Sequence, residues 1–400
     1  MICAAMFTER PLALPALRGL LTERLLSPRF RQPLSRRGEL RRPFEIEAHV
    51  HRCPGGDPPN AEALFERISG LMLRPLPRSR PLWDVNLVEH WGPGSVLVWR
   101  VHHAVGDGLA LLRVLLSAAD QRDPQGLAPP VHPGPRWRDV PRGLASLARV
   151  VFLPADSQSP VKRPLAGRRE IAWSEPVSVE EIKAIGSRQH ATVNEVLTCA
   201  LAGALHRSLL ARGISPPRSV RAIVPFDLRA GQTDERLGNE FGLLFLSLPL
   251  GALTFAQRLR KVKRESARIK TSPEGVVTFL LLRLIGLLSP GLATLAIRFF
   301  SRKASVVLSN LAGPRHRLAL GGAVISDFIF WVPQTHRIGL GLSILSYAGK
   351  VRIGVNADVA CLPSPQALAQ DFVSELRSAS QGRASGFDRR LRRRTQELSP

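Results

Sequence analysis

A chain of 400 residues of which 44% are hydrophobic can bury a large core, and at this length two domains are expected rather than one. Its formal net charge of +24 creates a positive potential suited to anionic partners such as anionic lipid or a phosphorylated small molecule. With one tyrosine, 6% aromatic residues and no interleaving of aromatic with basic side chains, nucleic acid is not an expected partner.

The N-terminal stretch lacks an uninterrupted apolar run, because Glu9, Arg10 and Arg18 cut it, so no secretory signal is expected. Leu12 to Leu26 has the pattern of an amphipathic helix, Ser27 to Arg42 is basic and broken by Pro28 and Pro33, and Phe44 to Val50 alternates like a half-buried strand. No strand is expected in Met1 to Arg42. Asn60 to Leu73 reads as a helix and Arg74 to Arg80 as a basic loop. Trp83 then opens an alternating run that continues from Val85 to Val88, and Val96 to Val101 reads as a buried strand.

That strand ends in His102, His103, Asp107 and Gly108. An imidazole held at a strand end faces whatever cleft lies beyond it, and its ordinary pKa keeps a usable neutral fraction at working pH, which suits a general base. The apolar run Leu109 to Leu116 follows as a buried helix, with Asp107 and Gly108 at its start, where a carboxylate can cap backbone donors. The segment Arg80-Pro81-Leu82-Trp83-Asp84 followed by HHxxxDG resembles the opening of the bifunctional wax ester synthase/diacylglycerol acyltransferase family.

Asp120 to Arg169 is rich in Pro and Gly, with one short apolar helix over Leu144 to Leu153, and reads as an interdomain linker. Ile171 to Trp173 opens the second half, and Val179 to Gln189 is helical. Ala191-Thr192-Val193-Asn194-Glu195 leads into another apolar helix and resembles a family segment in which Asp stands where Glu195 does here. Thr192 or Asn194 is a ready helix cap, and Asn194 is also a candidate to reach the cleft. Arg221 to Arg229 and Leu237 to Leu250 read as strands, the latter like a family segment in which Gly-Asn precedes a long apolar strand. Phe255 to Lys270 is a basic helix. Gly275 to Phe300 is the most apolar stretch, but Arg283 and Ser289-Pro290-Gly291 leave no clean membrane span. Two short helices are expected there, packed in the core or set against a lipid surface with Arg283, Arg298, Arg302 and Lys303. Val306 to Pro314 reads as a strand, Gly339 to Val359 as a hairpin turning near Ala348 to Lys350, and Ala367 to Ala379 as a closing helix. Both strand segments resemble the family's C-terminal part. The cysteines Cys3, Cys53, Cys199 and Cys361 form no ligand or disulfide pattern, so no metal site is expected.

The resemblance implies an α/β fold of two chloramphenicol-acetyltransferase-like domains, each a mixed sheet flanked by helices, meeting over a central tunnel. The expected division is 1–120 for the N-terminal acyltransferase domain, 121–170 for the linker, 171–385 for the C-terminal domain and 386–400 for a basic disordered tail. It implies transfer of a fatty acyl group from acyl-coenzyme A to diacylglycerol or a long-chain alcohol, with acyl-coenzyme A as co-substrate and no cofactor. His103 would be the general base, His102 supporting, Asp107 structural through an arginine such as Arg229, Gly108 part of the turn, and Trp83 part of the substrate tunnel. Asn194 or Asn310 would supply an oxyanion or acceptor-positioning donor. Peripheral association with the inner face of a membrane or with lipid inclusions, in the cytoplasm, is also expected. Family members begin with a strand ahead of the one matched by Phe44 to Val50. Its expected absence leaves open a catalytically silent lipid-binding chain, beside an acyltransferase for another hydroxyl or an amine.

Overall fold

A computed structural model describes residues 1–25, 27–32, 44–120, 140–157, 159–228, 240–334 and 337–381. From the N-terminus the elements are β1 (Ile2–Thr8), α1 (Leu14–Arg24), α2 (Pro28–Arg31), a short 3-10 turn (Ile46–Ala48), β2 (Val50–Arg52), α3 (Ala61–Leu73), β3 (Trp83–Trp91), β4 (Gly94–Val101), α4 (Gly108–Ser117) and α5 (Val140–Phe152). There follow β5 (Arg169–Trp173), β6 (Val177–Ser178), α6 (Val179–Arg188), α7 (Val193–Ala211), β7 (Ser219–Asp227), β8 (Phe241–Pro249) and α8 (Phe255–Lys270). The chain closes with α9 (Glu274–Leu287), α10 (Pro290–Ser301), β9 (Val306–Ala312), β10 (Ala319–Leu320), β11 (Ala323–Trp331), β12 (Leu340–Tyr347), β13 (Lys350–Asp358) and α11 (Pro365–Ser380).

The strands form two mixed sheets flanked by helices, in the expected α/β architecture. The first has the order β10-β11-β1-β4-β3-β2 and the second β5-β13-β12-β9-β7-β8, with β6 beside β13. The division of the sheets does not follow the chain halves: β10 and β11, from the C-terminal half, are hydrogen-bonded into the first sheet. Of the stretch expected to be linker, the described part contains α5 and the start of β5; residues 121–139 and the tail 386–400 lie outside the described residues.

The N-terminus corrects the sequence expectation. Ile2–Thr8 is a strand with antiparallel neighbours on both sides, β4 and β11. A strand covered on both faces does not alternate; six of its seven residues are buried, including Cys3, Ala4 and Ala5. At its end β1 meets the start of β4 so closely that a Cβ at Gly94 would lie 1.7 Å from the Thr8 carbonyl oxygen. By contrast Phe44 to His49 is not a strand but mostly a 3-10 turn, and only Val50–Arg52 pairs with β3.

Trp83, expected on the tunnel wall, is a core residue. It is 1% exposed. The alternation of β3 turns Trp83, Val85 and Leu87 into one apolar cluster, and the indole Nε1 donates to the Phe30 carbonyl at 2.8 Å, as a buried N–H requires. The His49 ring stacks on it with centroids 4.5 Å apart and donates from Nδ1 to the Trp83 carbonyl at 2.8 Å. On the opposite face the Arg100 Nε donates to Asp84 at 2.8 Å while its guanidinium also meets the α3 carbonyl of Leu71, so this buried charge is paired and satisfies a helix end.

In the second sheet, α7 is apolar on almost every side and lies in a core made with β9, β12, β13 and α11, as expected of a helix surrounded by protein. It starts at a capping box: the Thr192 hydroxyl accepts from the Glu195 amide at 3.3 Å and the Glu195 carboxylate from the Thr192 amide at 2.8 Å. The edge strand β8 is covered by α9. Thr278 Oγ1 accepts from the Leu243 amide at 2.7 Å and Glu274 Oε1 from the Phe245 amide at 2.6 Å, two donors that an open edge would leave exposed.

Two outcomes follow for stability. Gly94→Ala places a methyl against the Thr8 carbonyl and should cost about 1–3 kcal/mol or prevent folding, read by urea unfolding. Burial holds His49 and His51 below the ordinary histidine value of 6.5. Their folded pKa lies under the unfolded one, so the unfolded chain binds more protons in the window just below pH 6.5. Their contribution is present above that pH and lost as pH falls, and the urea midpoint should drop more steeply on acidification for the wild type than for His49→Gln.

Candidate active site

The turn after β4 carries the motif to the boundary between the two halves. His103 and Asp107, with Gly108 at the start of α4, line a cavity of 790 Å³ whose far wall comes from α7, β7, β8, β9 and β12. The His103 ring packs against Phe241 of β8 with centroids 5.6 Å apart and planes inclined by 51°. Asp107 closes the seam: its backbone carbonyl accepts from the Leu111 amide at 2.9 Å, which starts α4, and its carboxylate accepts from the Glu240 amide at 3.3 Å. The aspartate thus ties the His-bearing turn to the residue just before β8. The arginine partner suggested for it, Arg229, lies outside the described residues.

His102 and His103 have different surroundings. His102 is exposed, accepts from the Ala104 amide at 3.2 Å through Nδ1, and does not line the cavity. Desolvation together with the positive charges of the chain terminus, His103 and Arg78 pushes its pKa down. It stabilises the turn, while His103 faces the cavity.

Asn194 and Asn310 come together. They lie 116 residues apart, on the first turn of α7 and on β9, and the Asn310 Nδ2 donates to the Asn194 Oδ1 at 2.9 Å. That bond uses the acceptor of Asn194 and leaves its Nδ2 hydrogens for a ligand. Both amides line the 790 Å³ cavity and a second one of 660 Å³. The two cavities also share Val224, Phe226 and Ile344, so the asparagine pair stands where they meet. Glu195 fixes the turn on which Asn194 rides. Burial opposes its charge, but the hydrogen bonds from Thr192 and Ser266 and the charge of Lys270 outweigh it and hold the carboxyl below its ordinary range.

The second cavity is lined by apolar residues of β7, β8 and α9, with Arg142, Lys270, Thr271 and Ser272 at its rim. Its rim borders a surface of unusual composition. Leu144 and Phe152 of α5, Leu280, Leu284 and Leu287 of α9, and Leu292, Leu295, Ile297 and Phe299 of α10 are all exposed. Arg283, Arg298 and Arg302 are exposed beside them. Lys303 is not: it is 3% exposed, its Nζ donates to the carbonyls of Val151 at 2.7 Å and Leu153 at 2.6 Å, and it lies over the Phe299 ring. It holds the end of α5 against α10 and does not face a lipid surface. Among the described residues no helix is long and apolar enough to cross a membrane.

The cysteines offer no nucleophile here. All four are buried thiols, and burial pushes Cys3 and Cys199 up to about 12, where the reactive thiolate is absent at neutral pH. Sequence reasoning missed two wall residues of the site. Ile2 enters through the unexpected first strand, and Phe241, though within a recognised segment, is an aromatic at a strand start with no chemical signature of its own.

Two mixed sheets meeting over a cavity lined by a histidine give the architecture expected of a two-domain acyltransferase fold. The solved structures agree. A wax ester synthase/diacylglycerol acyltransferase from Marinobacter aquaeolei VT8 superposes with a TM-score of 0.67 at 20% identity, over 95% of this chain and 94% of that one. The first condensation domain of the CDA synthetase superposes with a TM-score of 0.56 at 15% identity, over 96% and 92%. Family profiles match the wax ester synthase/diacylglycerol acyltransferase catalytic domain over residues 39–151 and the WS/DGAT C-terminal domain over 237–379. A protein of Mycobacterium tuberculosis named as a probable diacylglycerol O-acyltransferase is 24% identical over 377 residues, covering 85% of this chain and 81% of that one. The chain belongs to the wax ester synthase/diacylglycerol acyltransferase family and is an acyltransferase.

The capping box gives one outcome for the site. Thr192→Ala removes a cap worth about 1 kcal/mol, and because Asn194 sits on the same turn it should also lower the acyltransferase rate. Thermal unfolding and a turnover assay would read the two effects separately.

Proposed function

We propose that this protein transfers a fatty acyl group from acyl-coenzyme A to the hydroxyl of diacylglycerol or a long-chain alcohol, giving triacylglycerol or wax ester, with His103 as general base. The observation that carries this reading is the placement of His103 and the Asn194–Asn310 pair on one cavity between the two halves. The family and the names of its relatives supply the substrate class.

His103 accepts the acceptor's hydroxyl proton as that oxygen attacks the thioester carbonyl. The Asn194 amide donates to the oxyanion as it develops. Collapse of the tetrahedral species breaks the carbon–sulfur bond, and the proton held on His103 goes to the leaving coenzyme A thiolate. No acyl-enzyme is needed. The walls of the two cavities are largely apolar, which suits two long chains meeting at the asparagine pair. The positive charge of the chain favours the phosphates of coenzyme A.

The lipid substrates make a peripheral position on a cytoplasmic membrane face or lipid inclusion the natural one, and the exposed apolar surface of α5, α9 and α10 with its arginines supports it. The silent reading rested on a missing first strand, and β1 removes that reason.

The test is ester formation by purified protein from palmitoyl-coenzyme A with hexadecanol or diacylglycerol. His103→Ala should lower the rate about 10²–10⁴-fold with an unchanged thermal midpoint, and His102→Ala far less. A full rate in His103→Ala would remove it as the base. No ester from the wild type with either acceptor, although acyl-coenzyme A binds, would contradict the reading.

A further inference from the structure

We propose that the second cavity takes its lipid sideways from an anionic lipid surface, through a mouth between α5 and α9, so that the acyl chains never cross water. This rests on the acyl-transfer reading for the identity of the lipid, but the route is argued from the surface alone.

The 660 Å³ cavity is lined from α5 by Arg142 and Gly143 and from α9 by Val276, Val277 and Leu280. Leu280 is also 59% exposed, so one side chain belongs to both the cavity wall and the outer surface. From it the apolar surface continues along α9 to Leu284 and Leu287, the latter 84% exposed, and onto α10; Leu144 lies next to Gly143 on α5. The three helices are in contact, α5 with α9 and α9 with α10. A water-facing helix would not carry leucines at these positions.

Charge selects the partner. The only acidic residue in α5, α9 and α10 is Glu274, which is 1% exposed and lies near Arg268 and Arg149 at 3.4 and 3.9 Å. The exposed charges on these helices are Arg142, Arg149, Arg283 and Arg298, all positive. An apolar face whose own exposed charges are all arginine fits an anionic bilayer or monolayer surface, with the guanidinium groups at headgroup level and leucines below it. The rim residues Arg142 and Lys270 then stand where a lipid's polar head would remain as its chains enter.

Two variants separate docking from passage. Leu284→Glu/Leu287→Glu alters the exposed face and not the cavity wall. It should weaken co-sedimentation with phosphatidylglycerol vesicles about 100-fold, and reduce uptake of a fluorescent diacylglycerol from those vesicles in parallel. Ester formation with a short, water-soluble alcohol should stay at the wild-type rate. Leu280→Trp keeps an apolar surface but narrows the mouth; it should bind vesicles like the wild type and take up diacylglycerol slowly. Uptake is read without turnover, so it tests the route even if the chain makes no ester. Unchanged vesicle binding in the double variant, or unchanged uptake in Leu280→Trp, would overturn the proposal. So would a wild type that binds no vesicles and sediments as a dimer that the double variant dissociates, which would assign the face to a second copy.

Discussion

The backbone hydrogen bonds of Ile2–Thr8 hold the molecule's two halves in one arrangement. This strand lies inside the first sheet, with β4 on one side and β11 on the other. The first brings the strand that ends in His102 and His103; the second belongs to the C-terminal half and is followed closely by β12 and β13. Burying seven residues of backbone between two partners leaves no unpaired edge there, and the contact of Gly94 with Thr8 fixes how far β1 and β4 can slide. The direction in which the motif turn faces the second sheet depends on that strand being present.

The site is correspondingly a shared one. His103 arrives from the end of β4, Asn194 from a helix cap, Asn310 from the middle of a parallel pair, and Phe241 from the edge strand. Each is held by something other than itself: the turn by Asp107 reaching the Glu240 amide, the asparagine by the Thr192–Glu195 box, and β8 by the Thr278 and Glu274 side chains of α9. Positioning groups must be held closely for a reaction between two bound substrates, and each of these side chains is supported in that way. It also explains why Glu stands at position 195: at the third helical position its longer arm reaches back to the Thr192 amide.

Much of this was legible in the chain, for physical reasons that differ by element. The helix over Phe255–Lys270 has a capping box and a one-sided apolar pattern, and its bounds could be read directly. The hairpin of β12 and β13 declares itself through Ala348 and Gly349, both at positive φ. Strand β1 is hidden because its run of Cys3, Ala4 and Ala5 gives no β-branched signal and its burial on both faces leaves no alternation, and β11 because Ser326 and Asp327 interrupt its apolar run. Trp83 turns into the core instead of the tunnel wall because a motif places a residue in sequence without saying which face of the strand it occupies. The lipid-facing alternative fails for Lys303 for the related reason that a basic side chain after an apolar helix can turn inward to satisfy carbonyls, as it does with Val151 and Leu153. That Asn194 and Asn310 would meet was beyond the sequence, because only the pairing of β9 with β12 and the seating of α7 bring them together.

The central claim is that chemistry begun at His103 in one half is completed by the asparagine pair of the other. Single-turnover acyl transfer by the Asn194→Ala/Asn310→Ala double variant tests it most directly, with acyl-coenzyme A binding measured alongside. Loss of the Asn194 donor and of the Asn310 amide that orients it predicts a rate lowered about 10²–10³-fold with binding largely retained. A rate equal to the wild type, in a variant that folds and binds normally, would place the reacting carbonyl elsewhere and contradict it.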